Sequence, residues 1–235
     1  MKKDKIVTKL DAPTTMDFGS GSTPFAFMSS ASWAMTDQDS STSLSNQVTT
    51  DNDGEFIPAS IKTYGEKTDI TANYESKVNT SITLGAISVG GAGAVAVDSI
   101  SITTAQGAKA KASVKGHSHG SGTHMARARS VSIPSFLGWG ANAFGFDIGV
   151  DSSCIQTATY DVAFGHKDQP NNDGDQLLGI THSETHTLKV DYVSDTAPSD
   201  IEGWTMTNYP DDGKLSRDGF ISGSVSYVKY VGAPA

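Results

Sequence analysis

The chain has 235 residues, a formal net charge of −9 and 18% charged side chains, with Ser, Thr, Asn and 24 Gly making up the polarity. So acidic a total argues against a surface that grips nucleic acid phosphates, which needs clustered Lys and Arg to release counterions, but not against one that repels them. A lone cysteine, Cys154, excludes an internal disulfide framework and a cysteine-based zinc site, and the low-charge, Ser/Thr-rich composition is that of an all-β protein.

Residues 1–24 contain DAPTTMDFGSGSTP, with no hydrophobic period and several Gly, Ser and Pro. They read as an extended N-terminal arm, and such an arm needs a surface to lie on. Met1-Lys2-Lys3-Asp4-Lys5 is basic, but Ile6–Leu10 is the only apolar stretch that follows and Thr8 and Lys9 interrupt it, so no Sec-type signal is expected. No window reaches the apolar length of a bilayer span, so no membrane partner is expected.

Two segments resemble one another. Thr63–Tyr74 reads TYGEKTDITANY and Thr181–Tyr192 reads THSETHTLKVDY, sharing Glu66/Glu184, Ile70/Leu188, Ala72/Val190 and Tyr74/Tyr192. Each follows an Asn-Asp-Gly-acid turn, centred on Asp53 and Gly54 in one and on Asp173 and Gly174 in the other. Ala31-Ser32-Trp33 upstream matches Ala158-Thr159-Tyr160. Landmarks in one order predict an internal duplication, with a first β domain over 25–125 and a second over 126–235, although the tails of the two halves do not align by sequence.

Read with the two-residue period of a strand, Leu188, Val190 and Tyr192 share one face, and His186, Glu184 and His182 continue it outward. The inner half is suited to a core. The outer half is polar on both faces, so it is expected to project about 20 Å into solvent as a hairpin whose other strand is Thr157–Phe164. Tyr74, Ala72 and Ile70 repeat the inner pattern, with Thr68, Glu66 and Tyr64 beyond. Each half thus reads as a β-sandwich carrying a long hairpin, and Tyr64, Glu66, Thr68, His182, Glu184 and His186 are the candidate subunit-interface residues, because a polar hairpin alone is marginal and its edges invite pairing. Proline at Thr185 is expected to disturb assembly more than folding. GAKAKASVKG and GFISGSVSYVKYV read as closing strands. Ile133, Phe136, Leu137, Ala141 and Phe144 have helical spacing, opposed by Gly138 and Gly140, and Ser199 with Glu202 has the form of a capping box before Trp204.

The most enzyme-like string is Gly116-His117-Ser118-His119-Gly120, a G-x-S-x-G match. An elbow needs a buried apolar strand before the serine and a helix after it; here Lys alternates with small residues before Ser118, and Gly-rich sequence follows, so a loop between the halves is expected. His117, His119 and His124 in that loop lack an acidic or Cys partner, and His182 and His186 are too far apart along a strand to share a metal. Asp51-Asn52-Asp53-Gly54 fails as a calcium loop, since its first and twelfth positions are Thr49 and Ser60, and the second copy fails with Gln169 and Ile180. No catalytic residue, cofactor or metal is assigned.

A tandem β-sandwich with long hairpins, an arm and no catalytic set resembles the tail tube proteins of tailed bacteriophages and related injection systems. The resemblance is architectural and rests on no diagnostic motif. It implies a virion structural protein, assembled in the bacterial host cytoplasm into the viral tail, whose hairpins join neighbours into stacked rings. Its partners would be itself, other virion proteins and double-stranded DNA that passes an acidic lumen without specific binding. Common tube subunits have one such domain in six-fold rings; two domains per chain imply either a trimer with pseudo-six-fold symmetry or that one half is decorative. The alternatives are a capsid decoration protein, a surface-binding β-protein and a Ser118 hydrolase.

Overall fold

The computed structural model describes residues 33–47, 62–76, 78–83, 86–89, 92–93, 96–119, 124–125, 129–170, 176–208, 214–215 and 221–232; for some strand residues, among them 33–47 and 62–70, only the backbone course is described. The N-terminal arm and the turns at Asp53, Gly54, Asp173 and Gly174 lie outside the described residues. Strands β1 (Trp33–Gln47) and β2 (Lys62–Ser76) are followed by the short β3 (Ser81–Ile82), β4 (Ala86–Val89) and β5 (Ala92–Gly93). Next come β6 (Ala96–Ala105), β7 (Lys111–His119), β8 (His124–Met125), β9 (Arg129–Ser132) and β10 (Phe136–Leu137). The chain continues through β11 (Ile155–Pro170), β12 (Gln176–Ser194), β13 (Thr205–Asn208), β14 (Lys214–Leu215) and β15 (Ile221–Val231).

The protein is all-β. One nine-stranded antiparallel sheet has the order β1-β2-β7-β6-β11-β12-β15-β13, with β14 also on β15. β11 pairs with β12 along its whole length, from Ile155 opposite Tyr192 to Pro170 opposite Gln176, which is the partner expected for the Thr181–Tyr192 segment. β6 pairs with β11 from Ser99 opposite Ala163 to Ala105 opposite Thr157, so the two halves of the chain share one sheet.

Alternation sorts the sheet into two faces. One row of facing residues crosses it from β2 to β13: Tyr74, Ala112, Ile102, Tyr160, Leu188, Tyr227 and Met206. All are buried except Met206, which is half-buried, and Val114, Ile100, Val162, Ala158, Val190 and Val225 fill the neighbouring rows. The other face is rich in Ser and Thr but also carries Val193 and the exposed Tyr230, and the Thr103 and Thr159 hydroxyls lie 3.2 Å apart across the β6–β11 joint. Glu75, Asp161 and Asp191 share it with Lys111, Lys115 and Lys189, so the described part of this face carries charges of both signs.

The apolar face is covered by residues 131–150, which contribute Val131, Ile133, Phe136, Phe144 and Ile148 to the core. The helical spacing in this stretch does not produce a helix. Phe136 and Leu137 pair with Ile82 and Ser81, Gly140 and Phe144 have positive φ, and Gly138 N–H donates to Thr80 O at 3.0 Å. A helix does not pass through such backbone conformations. The Ser199–Glu202 pattern likewise gives a turn, closed by Trp204 N–H to Ile201 O at 3.1 Å with Gly203 at positive φ.

Two register shifts occur twice. In β1, Met35 faces Tyr74 and Asp37 faces Asn73, leaving Thr36 as the extra residue; in β11, Ile155 faces Tyr192 and Thr157 faces Asp191, leaving Gln156. In β6, Val97 faces Gly116 and Ser99 faces Lys115, leaving Asp98; in β13, Met206 faces Tyr227 and Asn208 faces Ser226, leaving Thr207. The third sequence landmark does not correspond in register. Trp33 stands opposite Ser76, whereas Tyr160 stands opposite Leu188.

Candidate functional site

Glu184 and His186 are not solvent-facing. Both are buried, at 7% and 6% exposure, because β15 extends along β12 to Val231 opposite Glu184 and the Trp204 turn lies over the same face. His182 is exposed. From Gln176 to Ser183, β12 pairs with β11 alone among the described residues. On the other long pair, Tyr64 stands opposite Ser45, Thr68 opposite Thr42 and Ser118, and Glu66 falls in a second irregular stretch between Ser43 and Ser45.

Two polar groups on an apolar face need partners, since an unpaired buried polar atom costs about 1–3 kcal/mol. Here they form a chain. Tyr160 Oη lies 2.7 Å from His186 Nδ1, and His186 Nε2 lies 2.5 Å from Glu184 Oε1. With Glu184 ionised, Nε2–H donates to the carboxylate and Nδ1 accepts the tyrosine proton. Burial, and after it the Glu184 charge, pushes the Tyr160 phenol well above its ordinary range, so it remains a donor. Phe146 stacks on Tyr160 with ring centroids 6.2 Å apart, and Trp204 meets Phe146 edge-on at 5.2 Å.

These rings and the dyad line a cavity of about 310 Å³, with Lys229 at its side. The dyad engages both imidazole nitrogens, one with Tyr160 and one within itself through Glu184. Its evident effect is to bind β11 to β12 at the outer end of the core. A larger depression, about 490 Å³, lies over β2, β6 and β7 and is lined by Asn73, Tyr74, Glu75, Lys111, Ala112 and Ser and Thr residues, without a buried charged group.

A second polar cluster spans the joint between the halves. The β6 register shift re-aims Asp98, as bulges do, and its Oδ1 accepts from His117 Nδ1 at 2.7 Å. His166 Nε2 donates to Val97 O at 2.8 Å and lies 3.4 Å from the same carboxylate oxygen, and the two imidazoles meet edge to face at 5.2 Å. β6, β7 and β11 are thereby clipped together. Gly116, His117, Ser118 and His119 are thus strand residues of β7 and not a loop, with Ser118 opposite Thr68 instead of at the turn an elbow needs. His124 belongs to β8. Among the described residues, no three His, Cys, Asp or Glu converge on a metal position, and no helix is long and apolar enough to cross a membrane.

Sequence reasoning missed Phe146 and Trp204, which come from irregular segments far along the chain. It also missed the burial of Glu184 and His186, although their place on the Leu188–Tyr192 face was a signal for it. No family model matches the chain, and no curated protein matches it.

Proposed function

We propose that the protein is a virion structural subunit, a tail tube protein whose chain carries the wall unit twice and closes into rings with copies of itself. The observation that carries this reading is the repeated strand order. The run β1-β2-β7-β6 is matched by β11-β12-β15-β13, and each run contains the same two register shifts, opposite Tyr74 and Tyr192 and opposite Gly116 and Tyr227. Bulges persist within families of related structures, so two at corresponding places favour common descent over reuse of strand-forming letters.

The register also supplies the alignment of the tails. Asn73 faces Ser113 and Asp191 faces Ser224, which superposes Ser113-Val114 on Ser224-Val225. A wide sheet with a core on one face and Ser/Thr on the other suits a wall. A hydroxyl surface with balanced charge gives phosphates no cluster of cations to bind, so DNA passes it without specific contacts. Negative-stain images and sedimentation of the purified protein test the reading: stacked rings or tubes are expected, and a protein that stays monomeric at high concentration and is found in no particle overturns it.

A further inference from the structure

We infer that copies of the chain join head to tail, β1 of one copy pairing antiparallel with β13 and β14 of the next in the register of the internal β6–β11 joint. The inference rests on the repeat reading above and deepens it by naming the edges. Among the described residues, β1 pairs with β2 alone and β13 and β14 with β15 alone, on the side of β15 away from β12. Thr205, Thr207 and Asn208 are exposed. A long strand with one open edge is a template for another chain.

The internal joint shows which chain. By the matched register shifts β1 corresponds to β11, and β13 to the start of β6. β14 continues the correspondence, since Lys214 faces Ser222 as Thr103 faces Lys111. The pairs Ala163 opposite Ser99 and Thr159 opposite Thr103 therefore transpose to Ser43 opposite Asn208 and Asp39 opposite Lys214. Strand directions alternate throughout the sheet, so β1 meets β13 antiparallel without rearrangement. Charge agrees: Trp33–Gln47 contains Asp37 and Asp39 and no basic residue, which disfavours β1 pairing with β1, and the transposed register offers it Lys214. The contact is heterologous, so it closes into a ring or grows as a filament.

In a Cys154→Ala background, Ser43→Cys combined with Asn208→Cys should give a ladder of disulfide-linked multimers on mild oxidation, because facing residues of paired strands lie within disulfide reach. Either cysteine alone should give none. In the otherwise unaltered chain, Asp39→Lys and Lys214→Asp should each lower the assembled fraction in sedimentation, and the double exchange should restore it; circular dichroism separates misfolding from a lost joint. Assembly without the 43–208 link, or efficient linking through Ser43→Cys alone, overturns this joint and leaves the ring reading standing. A parent chain that stays monomeric at high concentration overturns both.

Discussion

Tyr160 Oη and His186 Nδ1 lie 2.7 Å apart inside the sheet, on strands that are direct neighbours. The bond joins a donor kept protonated by burial to an imidazole that Glu184 holds from the other side. Tyr160→Phe removes the donor and leaves the ring packing, so it should cost about 1–2 kcal/mol. His186→Ala removes the middle of the chain and leaves a cavity among Tyr160, Glu184 and Trp204, and should cost about 3–5 kcal/mol. Urea denaturation of both variants measures this; equal losses would mean that the hydrogen bonds contribute nothing beyond the single contact to Tyr160.

Alkaline pH should unfold the protein earlier than Lys and Arg titration alone would. Burial pushes the Tyr74 phenol up to about 12, whereas in the unfolded chain it ionises near its ordinary value of about 10. Below about pH 10 both states keep the proton and the contribution is complete. Between about 10 and 12 only the unfolded state ionises, so stability falls by about 2–3 kcal/mol across that window. Tyr74→Phe should flatten the decline, as read from denaturation midpoints between pH 8 and 12.

Thr185→Pro should unfold the protein, contrary to the sequence expectation that assembly suffers first. Thr185 faces Ala163 on β11 and Tyr230 on β15, so it lies inside the sheet. Proline there removes a ladder donor and strains the strand, at about 3 kcal/mol or more. Loss of the β-sheet signal in circular dichroism at room temperature is the expected result; a folded variant that merely fails to assemble would restore the projecting-hairpin picture.

Gly138→Ala should cost about 2–3 kcal/mol although Gly138 has an ordinary φ. A β-carbon there would sit 2.3 Å from Val78 O and 2.6 Å from Ser76 Oγ, and the first of these is backbone that cannot swing aside. Thermal unfolding of this variant beside Gly140→Ala separates packing from conformation, since Gly140 has open space around it and a φ of +86°.

Period and composition made the all-β class legible, together with the inward face of Leu188, Val190 and Tyr192 and the partner strand beginning at Thr157. Local spacing failed between Ile133 and Phe144, where glycine backbone and the pairing of Phe136 with Ile82 override it. The fate of His186 was only half legible, from its place on the Leu188–Tyr192 face. Whether a polar residue on an apolar face ends the core or continues it depends on Trp204 and Phe146, which no local pattern ties to β12. His117 was misplaced in the same way, because its carboxylate partner becomes available only through the extra residue in β6.

The pairing of β6 with β11 has a thermodynamic consequence. Two edges carried by separate molecules meet at a rate and with an occupancy set by protein concentration, whereas these two are tethered and meet at the effective concentration of one chain. In the proposed ring, every second joint is therefore complete as soon as a molecule folds and is insensitive to dilution. Only the remaining joints respond to mass action, so disassembly should release whole chains and assembly should show a single concentration threshold.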